Sequence, residues 1–375
     1  DEAYLIFTSG STGRPRGVPV SHGHLSASTV ARQAVYPGAP DRFLVPSSPA
    51  FDSSIVGLFW TLSAGGTVVL PSEREVHDLD AIVDLFGSVD HCLLVPTLYR
   101  ALLDRADQRG IAADAWPRRV IVAGESCPPA LVDAHYQRFP DSALTNEYGP
   151  TEATVWASAH HCEPGDDPVP LGPPIPGARL AVIDPSGTIR PRGVEGELVI
   201  GGVGVVDGYL DEPAATDAAF RPYPDTTDEP SFRTGDRAVL LDDQLLFVGR
   251  GDDRLNVGGV RAEPEEIERV LTTVDGVTAA IAVAAVLRAR DELLERLGAD
   301  EISRALNRAA EQADPAAALL SELQREGRPD LRLVAHVESA DGVEVGELRQ
   351  AANRGLATNL RPALYVVHPR LPRTP

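Results

Sequence analysis

Tyr4-Leu5-Ile6-Phe7-Thr8-Ser9-Gly10-Ser11-Thr12-Gly13-Arg14-Pro15-Arg16-Gly17-Val18 joins an apolar, strand-like run to a loop of small and hydroxylated residues that ends in two arginines. Hydroxyls, glycine amides with no Cβ in the way, and guanidinium groups are what the oxygens of a polyphosphate need. The spacing is not that of a Walker A loop, which requires Gly-x-x-x-x-Gly-Lys-Ser/Thr. Runs of Ser, Thr and Gly also serve as plain polar connections, so the phosphate reading depends on what else the chain carries.

The chain has 375 residues, 43% of them hydrophobic, enough for a large core and for two or three domains. A net charge of -21 argues against nucleic acid and anionic membrane surfaces as partners, because both select basic patches. No apolar run reaches the length of a membrane span, and the first residues do not form a signal peptide. Cys92, Cys127 and Cys162 are scattered and show no Cys-x-x-Cys spacing. Neither a disulfide framework nor a zinc site is expected, and a reducing cytoplasm is the default location. Methionine and lysine are both absent, so every basic residue other than histidine is arginine. The missing methionine predicts a piece of a longer chain.

Up to about residue 164, short apolar runs alternate with helical patterns. Strands are expected at 42–46, 67–70, 91–95 and 119–123, and helices at 24–35, 54–62, 80–87 and 99–109. This alternation predicts an α/β sheet with ligands at the C-terminal ends of the strands. From Gly165 proline and glycine become dense and short alternating runs appear at 178–184, 196–200, 238–241 and 244–248, as in a small barrel-like β subdomain. Gly202-x-Gly204-x-x-Asp207 lacks the last glycine of the dinucleotide fingerprint and opens no helix, which excludes a Rossmann site. Residues 250–259 are charged and glycine-rich, as a hinge would be. A helix at 263–272 and strands at 278–286 and 331–338 follow, separated by a long helical stretch at 288–326 that reads as an insertion.

Four further motifs follow the opening loop in order: Asn146-Glu147-Tyr148-Gly149-Pro150-Thr151-Glu152; Gly196-Glu197-Leu198-Val199-Ile200-Gly201-Gly202, leading to Gly208-Tyr209-Leu210; Phe232-Arg233-Thr234-Gly235-Asp236; and Gly249-Arg250-Gly251-Asp252. Together the five resemble the signature of the adenylate-forming superfamily of acyl-CoA synthetases, luciferases and the amino-acid adenylation domains of nonribosomal peptide synthetases. The resemblance implies an α/β adenylate-forming fold. A large domain, with its α/β part at residues 1–164 and a β-barrel-like subdomain at 165–251, would carry a small α+β C-terminal lid at 252–375. The superfamily has a subdomain ahead of the phosphate loop and a lid lysine just beyond the stretch that matches Leu371-Pro372-Arg373-Thr374-Pro375. By resemblance the chain is therefore expected to be truncated at both ends and impaired on its own.

The resemblance also implies roles. Thr8, Ser9, Gly10, Ser11, Thr12 and Gly13 would lie along the β- and γ-phosphates of ATP, with Arg16 in place of the usual lysine, a change of geometry at constant charge. Thr151 would touch the α-phosphate and Glu152 would ligate Mg2+. Tyr148, Gly124, Glu147 and Gly149 would border the adenine, Asp236 would accept the ribose hydroxyls, and Arg250 would reach the ribose or phosphate. Asp252 would be the hinge residue, and Gly259 would leave room for the phosphopantetheine arm of a peptidyl carrier protein. An MbtH-like protein is a further partner that the resemblance admits.

Phe51-Asp52-Ser53-Ser54 resembles the amino-acid-activating branch, in which the aspartate pairs with the substrate's α-ammonium. Capping of the following helix is the alternative role for Asp52. By the same resemblance Ser53, Val56, Leu93, Ile121, Ala123, Glu147, Val155 and Trp156 would line the side-chain pocket. It would be mostly apolar, shortened by Trp156, with Glu147 as its one acceptor or negative charge. The implied activity is ATP-dependent formation of an aminoacyl-AMP and pyrophosphate, then transfer to the carrier's thiol. The alternatives are an acyl-CoA synthetase-like ligase and a non-catalytic nucleotide-binding fragment.

Overall fold

A computed structural model describes residues 1–8, 15–226, 229–241, 244–250, 255–257, 260–262, 264–287, 330–339, 342–368 and 370–371. The chain folds as two compact units, Asp1–Arg254 and Leu255–Pro375.

The first unit opens with β1 (Glu2–Thr8) and β2 (Arg16–Ser21), an antiparallel pair in which Thr8 lies opposite Arg16. Helix α1 (His22–Val35) follows, with a capping box formed by Ser21 and His24. Next come β3 (Arg42–Leu44), α2 (Ser53–Ser63), β4 (Thr67–Val69), α3 (Glu73–Val76), α4 (Leu79–Phe86), β5 (His91–Leu94), α5 (Pro96–Arg109), β6 (Arg119–Ala123), α6 (Pro129–Arg138), β7 (Ala143–Tyr148) and β8 (Ser158–His161). Helix α5 starts at Pro96, earlier than its apolar pattern, because proline is pre-organised for a first helical turn; it stops at Gly110, whose φ of 63° is left-handed.

These strands form one sheet in the order β4-β3-β5-β6-β7-β8. The first five are parallel and β8 is antiparallel to β7. Alternation splits each central strand between two cores. Cys92, Leu94, Val120, Val122 and Leu144 pack with α4, α5 and α6, whereas Phe43, Leu93 and Ile121 pack with α1 and α2. Helices cover both faces, which is why these strands read as continuous apolar runs.

Strands β9 (Ala178–Ile183) and β10 (Gly196–Gly202), helix α7 (Pro213–Ala219), and strands β11 (Phe220–Pro222), β12 (Pro230–Leu241) and β13 (Gln244–Arg250) follow. Strand β12 pairs with β10, β11 and β13 in a five-stranded antiparallel sheet. It is much longer than the 238–241 run, because the Phe232–Asp236 motif is itself part of the strand.

The second unit contains the short pair β14 (Leu255–Val257) and β15 (Val260–Ala262), helix α8 (Pro264–Leu271), strands β16 (Ala279–Leu287) and β17 (Asp330–Glu338), helix α9 (Val345–Gly355) and β18 (Leu364–His368). The sheet β16-β17-β18 packs Ala280, Ala282, Leu333, Ala335 and Val337 against Ile267 and Leu271 of α8 and Leu348 and Ala352 of α9. The predicted insertion at 288–326 lies outside the described residues.

Candidate active site

The C-terminal end of β7 places the first group. The chain leaves the strand at Tyr148, passes Gly149 and Pro150, and makes a 3-10 turn at Thr151–Ala153. A Cβ on Gly149 would stand 2.4 Å from the Trp156 Cα, so only glycine lets the two backbones approach this closely. Thr154 and Val155 then take φ values of 55° and 81°. For a β-branched residue the left-handed region is strained. It is held here by two hydrogen bonds of Thr154, whose hydroxyl donates to the Gly204 carbonyl at 2.6 Å and whose carbonyl accepts from the Ser28 hydroxyl at 3.0 Å.

This turn brings Thr151 and Glu152 to Asp52. The Thr151 hydroxyl and the Glu152 carboxylate both act on the Asp52 carboxylate, the first favouring its charge and the second opposing it. The capping alternative is not what the fold adopts. Asp52 has helical φ and ψ of -66° and -21°, and its side chain makes no capping hydrogen bond to α2. Burial, reinforced by the Glu152 charge and opposed by the Thr151 hydroxyl, lifts the Asp52 pKa to about 6. Glu152 is 1% exposed and accepts from the Tyr209 hydroxyl at 2.8 Å. The Arg16 guanidinium lies 5.3 Å from the centroid of the Tyr209 ring, and the Leu210 amide donates to the Gly17 carbonyl at 2.9 Å. Thr8, across the strand pair from Arg16, is half-buried.

The second group sits between β7 and the β12–β13 pair. The Tyr148 hydroxyl donates to Asp236 Oδ2 at 2.5 Å, and the Arg250 guanidinium donates to Asp236 Oδ1. Arg250 also donates to the Thr234 carbonyl at 3.2 Å, and the Asp236 amide to the Thr234 hydroxyl at 3.0 Å. The register of the hairpin makes this possible, since Asp236 and Arg250 are direct partners. Burial, with the Asp236 charge adding to it, pushes the Tyr148 pKa well up. Gly124 follows the end of β6, the strand that pairs with β7 and aligns Ala123 with Glu147.

The third group is apolar. Val56, Leu93, Ile121 and Trp156, with the half-buried Ala123 and Val155, share one cluster with Tyr36, Phe43 and Trp60. Ser53, the first residue of α2, is half-buried. Glu147 departs from the expectation of an available charge. Its two oxygens accept from Arg32 at 2.5 and 3.0 Å, and one also accepts from the Tyr36 hydroxyl. The Arg32 guanidinium lies 4.0 Å from the Trp156 ring centroid, and the Trp156 indole N–H donates to the Ser28 hydroxyl at 3.1 Å. The Glu147 charge is therefore taken up by a buried, bidentate pair, and the Trp156 ring packs over the Arg32 side of it.

The structure thus brings Asp52, Thr151, Glu152 and Arg16 to one place, and Tyr148, Asp236 and Arg250 to another, both in the first unit. Ser9, Gly10, Ser11, Thr12, Gly13, Asp252 and Gly259 lie outside the described residues. Sequence reasoning missed Arg32, Tyr36 and Trp60, which carry no motif. It also gave no role to Tyr4, whose buried hydroxyl has no hydrogen-bond partner among the described residues and faces the Asp52 charge. Tyr209 was within reach, since it stands in the Gly208-Tyr209-Leu210 segment.

Residues 1–210 match the family described as AMP-binding enzyme. A plipastatin synthase chain of Bacillus subtilis is 36% identical over 318 residues, which is 82% of this chain and 12% of the relative. Tyrocidine synthase 3 of Brevibacillus parabrevis is 35% identical over 76% of this chain, which is 4% of its own length. The chain thus spans about an eighth or less of these relatives. Among solved structures, holo-PA1221, an NRPS protein containing adenylation and PCP domains bound to a vinylsulfonamide inhibitor, superposes with a TM-score of 0.78 at 25% identity. That match covers 100% of this chain and 58% of the other. The ordered motifs, the sheet that carries them and these matches agree: the chain belongs to the AMP-binding enzyme family, with the adenylation domains of nonribosomal peptide synthetases among its relatives.

Proposed function

We propose that this chain carries the site at which an amino acid is joined to ATP as an aminoacyl-adenylate with release of pyrophosphate, for later transfer to the phosphopantetheine thiol of a carrier protein. The observation that carries the reading is that Asp52, at the start of α2, and Thr151 and Glu152, after β7, stand near enough to act on one another's charge, although 99 positions separate Asp52 from Thr151. An ammonium anchored on Asp52 would hold its own α-carboxylate a few ångströms away, where Thr151 and Glu152 stand. Proximity of this kind supplies much of the rate in bimolecular transfer.

Each residue then has a task. Asp52 pairs with the ammonium and fixes the orientation of the attacking carboxylate. The Thr151 hydroxyl donates to the α-phosphate oxygens, and Arg16 offsets charge as pyrophosphate leaves. Asp236, held by Tyr148 and Arg250, accepts from the ribose hydroxyls, with the Tyr148 ring on the adenine. A buried carboxylate beside the phosphate-contacting Thr151 suits a hard divalent cation, so Glu152 fits Mg2+ while Asp52 stays with the ammonium. When bound, Mg2+ would neutralise phosphate charge. The apolar cluster, with Glu147 already paired, favours a neutral side chain on the substrate over a cationic one.

The test is amino-acid-dependent ATP–pyrophosphate exchange across a panel of amino acids and simple carboxylic acids. Amino acids should be preferred, and Asp52→Ala should erase the preference. Asp236→Ala should weaken AMP binding about 10–100-fold by calorimetry, the value of one or two charge-assisted hydrogen bonds. Better activation of acetate, fatty or benzoic acids than of any amino acid would overturn the reading.

A further inference from the structure

The sequence scatters its cysteines, but the fold does not. Cys127 lies in the loop between β6 and α6, and Cys162 directly follows β8. The Cys127 thiol lies near enough to Cys162 to push its pKa up. Both are buried, at 7% and 3% exposure. Around Cys162 the donor atoms of His160 and Asp166 complete a cluster in which all three lie within 4.8 Å of one another. The His160 Nε2 and Asp166 Oδ2 atoms are 2.8 Å apart.

We propose that Cys127, His160, Cys162 and Asp166 form a structural zinc site. Two thiolates, an imidazole and a carboxylate are a closed four-donor set of the kind Zn2+ selects over harder cations. In a tetrahedral zinc site, bonds of about 2.0–2.3 Å place neighbouring donors about 3.3–3.8 Å apart. The His160–Asp166 pair is tighter than that because a hydrogen bond now joins it. On binding, coordination would replace that hydrogen bond and draw the neighbouring Cys127 thiol in as the fourth donor. The scaffold is already held. Asp166 Oδ2 accepts from the Glu163 amide at 2.8 Å, the Gly165 amide donates to Asp133 of α6 at 3.2 Å, and the Tyr136 hydroxyl donates to the Cys162 carbonyl at 2.6 Å. His160 and Asp166 are 16% and 19% exposed, which gives an ion a route from solvent. The site shares no residue with the one described above. Its consequence is mechanical. The ion would tie β8, the neighbour of the β7 strand that presents Tyr148, to the loop that begins at Gly124.

The experiment uses the full 375-residue chain, purified under reducing conditions and stripped with chelator. Co2+ is added as the spectroscopic probe, then displaced by Zn2+. The expected result is one equivalent of Co2+ with the visible bands of tetrahedral thiolate coordination, and a higher melting temperature with Zn2+ than with chelator. Cys127→Ser and Cys162→Ser should each weaken the thiolate charge-transfer band, and the double variant should abolish it. The partly exposed His160→Gln and Asp166→Asn, which threaten folding least, should each weaken Co2+ binding on the order of tenfold or more. Cys92→Ala, at a buried cysteine outside the cluster, should bind Co2+ as the parent does. Three results would overturn the proposal: an octahedral Co2+ spectrum, a parent spectrum retained in folded Cys127→Ser or Asp166→Asn, or a Cys127–Cys162 disulfide in the freshly purified, unreduced chain.

Discussion

Replacing Asp52 by Asn separates what the Asp52 charge costs the fold from what it does for the substrate. Burial raises its pKa from the ordinary 3.8 to about 6. At about 1.4 kcal/mol per unit, the ionised form costs the folded chain about 3 kcal/mol, and the partial exposure of the side chain reduces this to about 2 kcal/mol. The folded value lies above the unfolded one. Below 3.8 both states are protonated and the cost is absent; it grows as pH rises from 3.8 to about 6, and above that it is fully present. Asn keeps the shape and an acceptor for Thr151 but never ionises. Asp52→Asn should therefore be about 2 kcal/mol more stable than the parent at about pH 8, melting about 4 °C higher, with the gain shrinking steadily as pH falls through about 5. The same variant should lose about 10–100-fold in amino-acid-dependent exchange, mainly through KM, because a charge-assisted contact to the ammonium is gone. Thermal denaturation across pH, paired with pyrophosphate exchange, measures both effects. A variant less stable than the parent at about pH 8, or a stability difference that ignores pH, would refute the buried-charge argument.

Arg32→Ala should destabilise the chain by about 3–5 kcal/mol in urea, because it leaves Glu147 charged and buried; the double variant Arg32→Met with Glu147→Leu should recover most of that, and equal losses in the two would be a contrary result. Gly149→Ala should cost about 1–3 kcal/mol by forcing a Cβ against the Trp156 backbone, and should weaken AMP binding in calorimetry. Tyr209→Phe should cost about 1–2 kcal/mol through the lost 2.8 Å bond to buried Glu152, read from the urea midpoint; an unchanged midpoint would argue against that contact.

The order of motifs, the α/β alternation and the apolar strands β5 and β6 were legible in the amino-acid sequence, because those signals are local. Helix periods, turn residues and runs such as Val120-Ile121-Val122 are set by neighbours a few positions away. Local pattern could not reveal that the polar run Thr145-Asn146-Glu147 is strand interior, at 0%, 3% and 3% exposure. Such burial depends on partners far along the chain: Arg119 and His161 for Thr145, the Pro170 carbonyl for Asn146, and Arg32 and Tyr36 for Glu147. Which groups the charged and titratable residues meet was decided by packing. It gave Glu147 to a buried pair formed across 115 positions, set Asp52 among Thr151 and Glu152, and brought Cys127 near Cys162. A buried charge must be met by whatever donors the packing delivers, and the packing is a property of the whole chain rather than of any stretch of it.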